Sequence, residues 1–384
     1  MTFPWRYVLV IVALMAGWLL LAACGGGEEE KATPTAAPVS QGVPMFRGDP
    51  AHTGVNPGPG VERSPKLLWR FKAGDFVGSS PVVVDGVVYI GSGDGYVYAL
   101  DASTGQERWR FQTGDYVSSS PAVVDGVVYV GSEDQHVYAL DAATGQERWR
   151  FQTGDSVGSS PAVVDGVVYI GGGDGYVYAL DAATGEERWR FQTGAWVYSS
   201  PAVVDGVVYI GSWDSHVYGL EAATGQERWR FQTGDYIVSS PAVVDGVVYI
   251  GSYDRYVYAL DAATGEQRWR LKVGHIARSS PAVVDGAVYI GSSYDRYVYA
   301  VDSATGEQYW RSATGGPGFS SPAVVDGVVY IGSVDGYVYA LEAATGQERW
   351  RFMTSGPGFS SPAVVDGVVY VGSEDGYVYA ITED

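Results

Sequence analysis

The stretch Ser119-Ser-Pro-Ala-Val-Val-Asp-Gly-Val-Val-Tyr-Val-Gly-Ser-Glu-Asp-Gln-His-Val-Tyr-Ala-Leu-Asp-Ala-Ala-Thr-Gly-Gln-Glu-Arg-Trp-Arg-Phe-Gln-Thr-Gly154 decides the fold, because the chain repeats it. The proline that opens each copy stands at 81, 121, 161, 201, 241, 281, 322 and 362. The period is 40 residues, stretched to 41 once near Tyr294. Eight copies at this spacing imply a propeller or a solenoid.

Within a copy the residues parse into four short strands. Ala122-Val-Val, Asp125-Gly126 and Val127-Val-Tyr read as a two-residue hairpin, since Asp-Gly tolerates the positive φ angles of a type I′ turn. Pro121 sits at the strand start, where its missing N–H costs no ladder bond. Gly131 to Gln135 turns the chain into a third strand, His136 to Leu140. Asp141-Ala-Ala-Thr-Gly145 turns it into a fourth, Glu147 to Gln152. Four strands that are apolar on both faces suit blades stacked around an axis. Before the first copy stands a lone fourth strand, Leu67-Leu-Trp-Arg-Phe-Lys72, and the last copy ends after its third. The two fragments complete one blade, which predicts an all-β, eight-bladed β-propeller closed by its N-terminal strand.

Composition bounds the function. With 44 acidic and 24 basic residues the net charge is -20, which argues against nucleic acid or an anionic membrane as partners of a basic face. One cysteine excludes a disulfide framework and a cysteine-based zinc site. That cysteine, Cys24, closes Leu21-Ala-Ala-Cys24 after an apolar run from Tyr7 to Ala23. The run has the shape of a secretory signal peptide, and an uncleaved membrane anchor is the alternative. The domain reading is therefore 1–23 signal peptide, 24–44 Cys24 and a flexible linker, 45–66 a lead-in, and 67–384 the propeller. The tetrad resembles a bacterial lipobox, which implies lipid on Cys24 and an exported, membrane-anchored lipoprotein on the outer face of the cell membrane or on the outer membrane. Arg47-Gly48-Asp49 in the lead-in matches a cell-adhesion tripeptide and is read as chance.

Ala99-Leu-Asp-Ala-Ser-Thr-Gly-Gln-Glu-Arg-Trp109 fits A-x-D-x-x-T-G-x-x-x-W and recurs in the other copies, with Glu221 and Glu342 replacing the Asp. This resembles the tryptophan-docking repeat of the pyrroloquinoline quinone (PQQ) type of propeller. The resemblance implies that Trp69, Trp109, Trp149, Trp189, Trp229, Trp269, Trp310 and Trp350 tie neighbouring blades together. Quinoprotein dehydrogenases of that type hold PQQ on the axis with a calcium site of carboxylate and Asn oxygens. Here Asn56 is the only Asn, the propeller has no Cys, and the copies lack long inserted loops. With lipobox and blades together, the chain resembles instead the propeller lipoproteins of outer-membrane assembly, the BamB type.

No catalytic residues and no metal ligands emerge. His52, His136, His216 and His275 fall on separate copies or the lead-in. Ser-Ser-Pro supplies hydroxyls without an evident His–Asp pair to activate them. Variation among copies gathers between strands two and three and between strand four and the next strand one, two connections on the same end of the ring. That end is expected to present Trp196, Tyr198, Trp213, His216, Tyr236, Tyr253, Arg255, His275, Arg278, Tyr294 and Arg296. Aromatic residues and Arg are the types enriched at protein interfaces, and drift at loop tips is the competing account. The same end carries one Asp per copy, from Asp94 to Asp375, read as turn residues rather than a cation ring. The leading expectation is a non-enzymatic, cofactor-free, monomeric scaffold for envelope proteins. A PQQ- and calcium-dependent oxidoreductase and a sugar or ligand sensor are the alternatives.

Overall fold

The computed structural model describes residues 42–56, 58–274, 279–293 and 295–384. Among these there is no helix, and eight antiparallel sheets follow one another around a ring. Blades 1 to 7 each take four consecutive strands, as in blade 2 with Ala122–Val124, Val127–Ser132, His136–Asp141 and Glu147–Gln152. The Asp-Gly hairpins take the conformation the sequence demands. Asp125 has φ 51° and Gly126 φ 71°, both positive as a type I′ turn requires.

Blade 8 is assembled from both ends of the chain. Pro65–Lys72 pairs antiparallel with Tyr377–Glu383, Trp69 opposite Ala380 and Lys72 opposite Tyr377. Strand one is innermost in every blade and only three residues long. Strand four is outermost and exposed, save for its Trp and the residue two further on, a Phe in all but blades 5 and 6, which turn toward the neighbouring blade.

The blades are joined by a repeated pair of donors. Trp229 Nε1 (2.9 Å) and the Tyr209 hydroxyl (3.2 Å), both of blade 4, donate to the carbonyl of Ala262 in the next blade's Asp-Ala turn. The same pair recurs around the ring, including the seam, where Trp69 and Tyr370 converge on Ala102. Blade 8 has no such turn, because its fourth strand is Pro65–Lys72 and does not follow its third in sequence. Its place is taken by Val61, whose carbonyl receives Trp350 and Tyr330. Every docking tryptophan thus sits between blades with its indole N–H bonded across the junction.

Both serines of each Ser-Ser-Pro are also spoken for. The first accepts an N–H from strand two of its own blade, as Ser119 does from Gly131. The second accepts the backbone N–H of its counterpart one blade back, from Ser80 to Ser120 and on around the ring. Ser361 donates to Ser80 and closes the circle.

Candidate functional site

Two places have the makings of a site, the axis and the end of the ring that carries the variable loops.

The axis is filled by the lead-in. Innermost strands have no neighbour on their inner edge, so their N–H groups need acceptors from elsewhere. The lead-in supplies them. Val43 pairs with Val83, and the carbonyls of Pro44, Pro50, Ala51, Thr53 and Gly54 accept from Val123, Val203, Val243, Val283 and Val324. Asn56 Oδ1 accepts from Val364 at 2.7 Å. One short segment therefore touches the inner strands of seven blades. From sequence alone residues 45–66 read only as a lead-in. The usable signal was the inner strands' unmet donors, beside a Pro- and Gly-rich stretch with the chain's only Asn.

Arg47 and His52 are buried within this plug. The Arg47 guanidinium donates to the carbonyls of Pro281 and Pro322, and burial lowers its pKa to about 9. His52 Nδ1 faces the carbonyl of Pro241 at 3.2 Å, which makes Nδ1 the protonated nitrogen. Burial first, and the charge of Arg47 second, push its pKa down to about 3, so the ring is neutral. Arg47 is 7% exposed and Asp49 is bound to its own turn through Ala51 and Thr53, so this tripeptide is no accessible adhesion loop. The space left beside Arg47 is about 10 Å3, room for roughly one water. The lead-in occupies the axis at the level of the inner strands. Among the described residues no group of His, Cys, Asp or Glu is arranged to hold a metal ion.

The variable loops meet at one end of the ring. The strand 2–3 loop is bonded to the loop entering its own blade, as Trp213 N–H to the Trp196 carbonyl and Tyr253 N–H to the Tyr236 carbonyl, each 2.9 Å. The aspartates here are turn residues. Asp94 accepts from Tyr96 N–H (3.0 Å), Gly74 N–H (2.6 Å) and the Tyr98 hydroxyl (2.7 Å), and its counterparts in the other copies act similarly.

On blades 4 and 5 the aromatic residues form a continuous strip. Trp196 lies 4.9 Å from Trp213, Tyr198 5.7 Å from Trp213, and Tyr253 5.9 Å from Tyr236. Trp213 stacks on Tyr236 at 5.2 Å and 9°. Trp196 (46%) and Tyr236 (45%) remain exposed. Arg255 and Arg296 are exposed on the same end, while His275, Arg278 and Tyr294 lie outside the described residues. His216 opens strand three, where the other copies carry Tyr or His, and its ring leans on Tyr218 at 5.9 Å in a groove shared with Phe191 and Arg230.

Comparison with known proteins bears on the repeat. The family described as "Outer membrane protein assembly factor BamB" matches residues 61–158 and 133–239. Over those residues the chain is similar to that family, and its eight blades are copies of one repeat. The propeller of the "Beta-alanine-activating enzyme" family matches residues 204–384. No curated protein matches the sequence. Among solved structures, BamB from Moraxella catarrhalis is 22% identical with a TM-score of 0.72, covering 83% of this chain and 99% of that one. The quinohemoprotein alcohol dehydrogenase of Comamonas testosteroni is 19% identical with a TM-score of 0.76, covering 89% of this chain and 80% of its own. The computationally designed protein Ika8 is 20% identical with a TM-score of 0.74, covering 83% and 99%. At such identities the likeness is one of fold, shared by an assembly factor, an enzyme and a design. Among the described residues no helix is long and apolar enough to cross a membrane, and Cys24 lies outside them.

Proposed function

We propose that this BamB-like propeller is a non-enzymatic scaffold of the cell envelope, held at a membrane by lipid on Cys24, that works without a cofactor and binds partner proteins through its variable-loop end. The observation that carries the reading is the contrast between the two candidate places. The axis, where a cofactor would sit, is filled by the chain's own residues 43–56. The loop end departs from an otherwise uniform repeat and exposes Trp196 and Tyr236 on either side of Trp213. Large aromatic residues on a rigid frame supply contact area at low entropic cost.

The experiment places a photo-crosslinking amino acid at Tyr236 or, as control, at Arg150 on the outer strand of blade 2, in cells that express the full chain. A discrete protein crosslinked from position 236 alone is the expected result. Crosslinks that do not distinguish the two positions would remove the loop end as the binding face. In parallel, purified protein with PQQ and calcium is expected to gain neither a bound-quinone absorbance nor alcohol-dependent dye reduction. Turnover under those conditions would replace the scaffold reading with that of an oxidoreductase.

A further inference from the structure

The loop end is polarised in a way that specifies its partner, an inference that rests on the reading just given. Around one half, blades 8, 1, 2 and 3 expose acids: Glu374, Asp75, Asp115 and Asp155. Asp75, Asp115 and Asp235 occupy one repeat position, directly after Thr-Gly or Ala-Gly. Blade 4 alone among the first five blades breaks this, with Ala195 in that place beside Trp196. A charge is missing where the strip begins. On the other side of the strip stand Arg255 and Arg296. Apart from these two and Arg278, every arginine of the propeller lies on an outer, fourth strand.

Those two arginines are placed against local preference. The residue after each turn Asp is left-handed in all eight copies, and four of them use glycine: Gly95, Gly175, Gly336 and Gly376. Arg255 and Arg296 hold φ 78° and 63° at the same position. A side chain there is strained relative to glycine, so nothing in the turn itself favours arginine.

A third feature points to a ligand. Trp213 Nε1 is buried without a hydrogen-bond partner, one of three such side-chain atoms among the described residues. An acceptor brought against the strip would satisfy it once the ring tilts. The central ring of the strip offers no open face, Trp213 being flanked by Trp196, tilted by 43°, and by the stacked Tyr236. A pyranose needs a free ring face, whereas apolar side chains fit against ring edges.

We propose that the strip binds an apolar polypeptide segment in extended form, oriented by carboxylates lying over Arg255 and Arg296 and away from the acids of blades 1 to 3. The segment's backbone carbonyls supply the acceptors, its apolar side chains cover Trp196 and Tyr236, and its acidic flank sets the direction.

The test uses three labelled peptides with one shared Leu/Phe/Val core, flanked by Glu, by Lys or by Gln, and reads anisotropy at low and high salt against the full chain. The Glu-flanked peptide is expected to bind about tenfold more tightly than the Lys-flanked one at low salt, with the gap closing at high salt. In Arg255→Gly/Arg296→Gly the gap should vanish while the melting temperature holds or rises, since the sister copies already carry glycine there. Equal or better binding of the Lys-flanked peptide, a gap that survives the double variant, or binding of an oligosaccharide ladder with no peptide bound would each overturn the proposal. A Trp196→Ala/Trp213→Ala variant separates the two levels. Peptide binding lost in it but indifferent to the arginines overturns only the charge orientation. Binding that survives it overturns the loop end as the binding face.

Discussion

The shared carbonyl at each blade junction makes a quantitative prediction. Ala262 is buried, and its carbonyl receives both Trp229 Nε1 at 2.9 Å and the Tyr209 hydroxyl at 3.2 Å. Removing the hydroxyl in Tyr209→Phe leaves the indole in place, so that variant should cost no more than about 0.5 kcal/mol. Trp229→Phe loses one donor and part of an 8%-exposed ring, and should cost about 1–2 kcal/mol. In the double variant the carbonyl has no donor at all. An unsatisfied buried acceptor costs about 1–3 kcal/mol, so the double loss should exceed the sum of the singles by about 1 kcal/mol. Urea unfolding followed by circular dichroism reads all four proteins. The cycle should repeat at the seam with Tyr370→Phe and Trp69→Phe, where one donor comes from each end of the chain. Additivity within about 0.3 kcal/mol at both junctions would refute the shared-acceptor account.

Three further outcomes are expected. Cys24→Ala should release the protein from membranes or block its processing, and unchanged retention with an uncleaved N-terminus would point to a transmembrane anchor. Deleting residues 45–73 removes the axial plug and the outer strand of blade 8 together, so cooperative unfolding should be lost or aggregation appear; a truncated chain that melts as sharply as the full one would sink the split blade. His52 carries a folded pKa of about 3 against about 6.5 unfolded, so the unfolded chain binds the extra proton. The stability His52 contributes is therefore complete above pH 6.5 and falls toward pH 3, by about 2 kcal/mol at pH 5, and His52→Asn, which tolerates the φ of 57°, should flatten that slope in acid melts.

Blade number, strand order and ring closure were legible because each follows from local rules repeated eight times. Asp-Gly fixes a hairpin wherever it occurs, and Leu67 to Lys72 could only be the strand that the last copy lacked. The plug was not legible in the same way. Its bonds run from residues 43–56 to partners as far away as Val364, and nothing periodic marks them. Its necessity was nonetheless implicit, because a three-residue inner strand facing an axis leaves donors that something must meet. The variation at His216 is legible only in part: the position opens strand three, where either Tyr or His packs against the Tyr two residues on.

Uniformity also gives the loop end its meaning. In a repeat this regular, the frame explains the consensus and leaves only departures from it to be explained otherwise. Ala195 for Asp, Trp213 for the small or acidic residue of blades 1 to 3, and arginine at a glycine-favouring φ are three such departures. They fall on adjacent blades and on one end. None improves the turn it occupies: Ala195 gives up a carboxylate, Trp213 leaves a buried N–H unbonded, and Arg255 and Arg296 accept strain. Other departures lie elsewhere on this end, Tyr116 and Gln135 of blade 2 among them, but these three adjoin one another and join an apolar strip to basic residues beside it. Their clustering favours a surface shaped by what it binds.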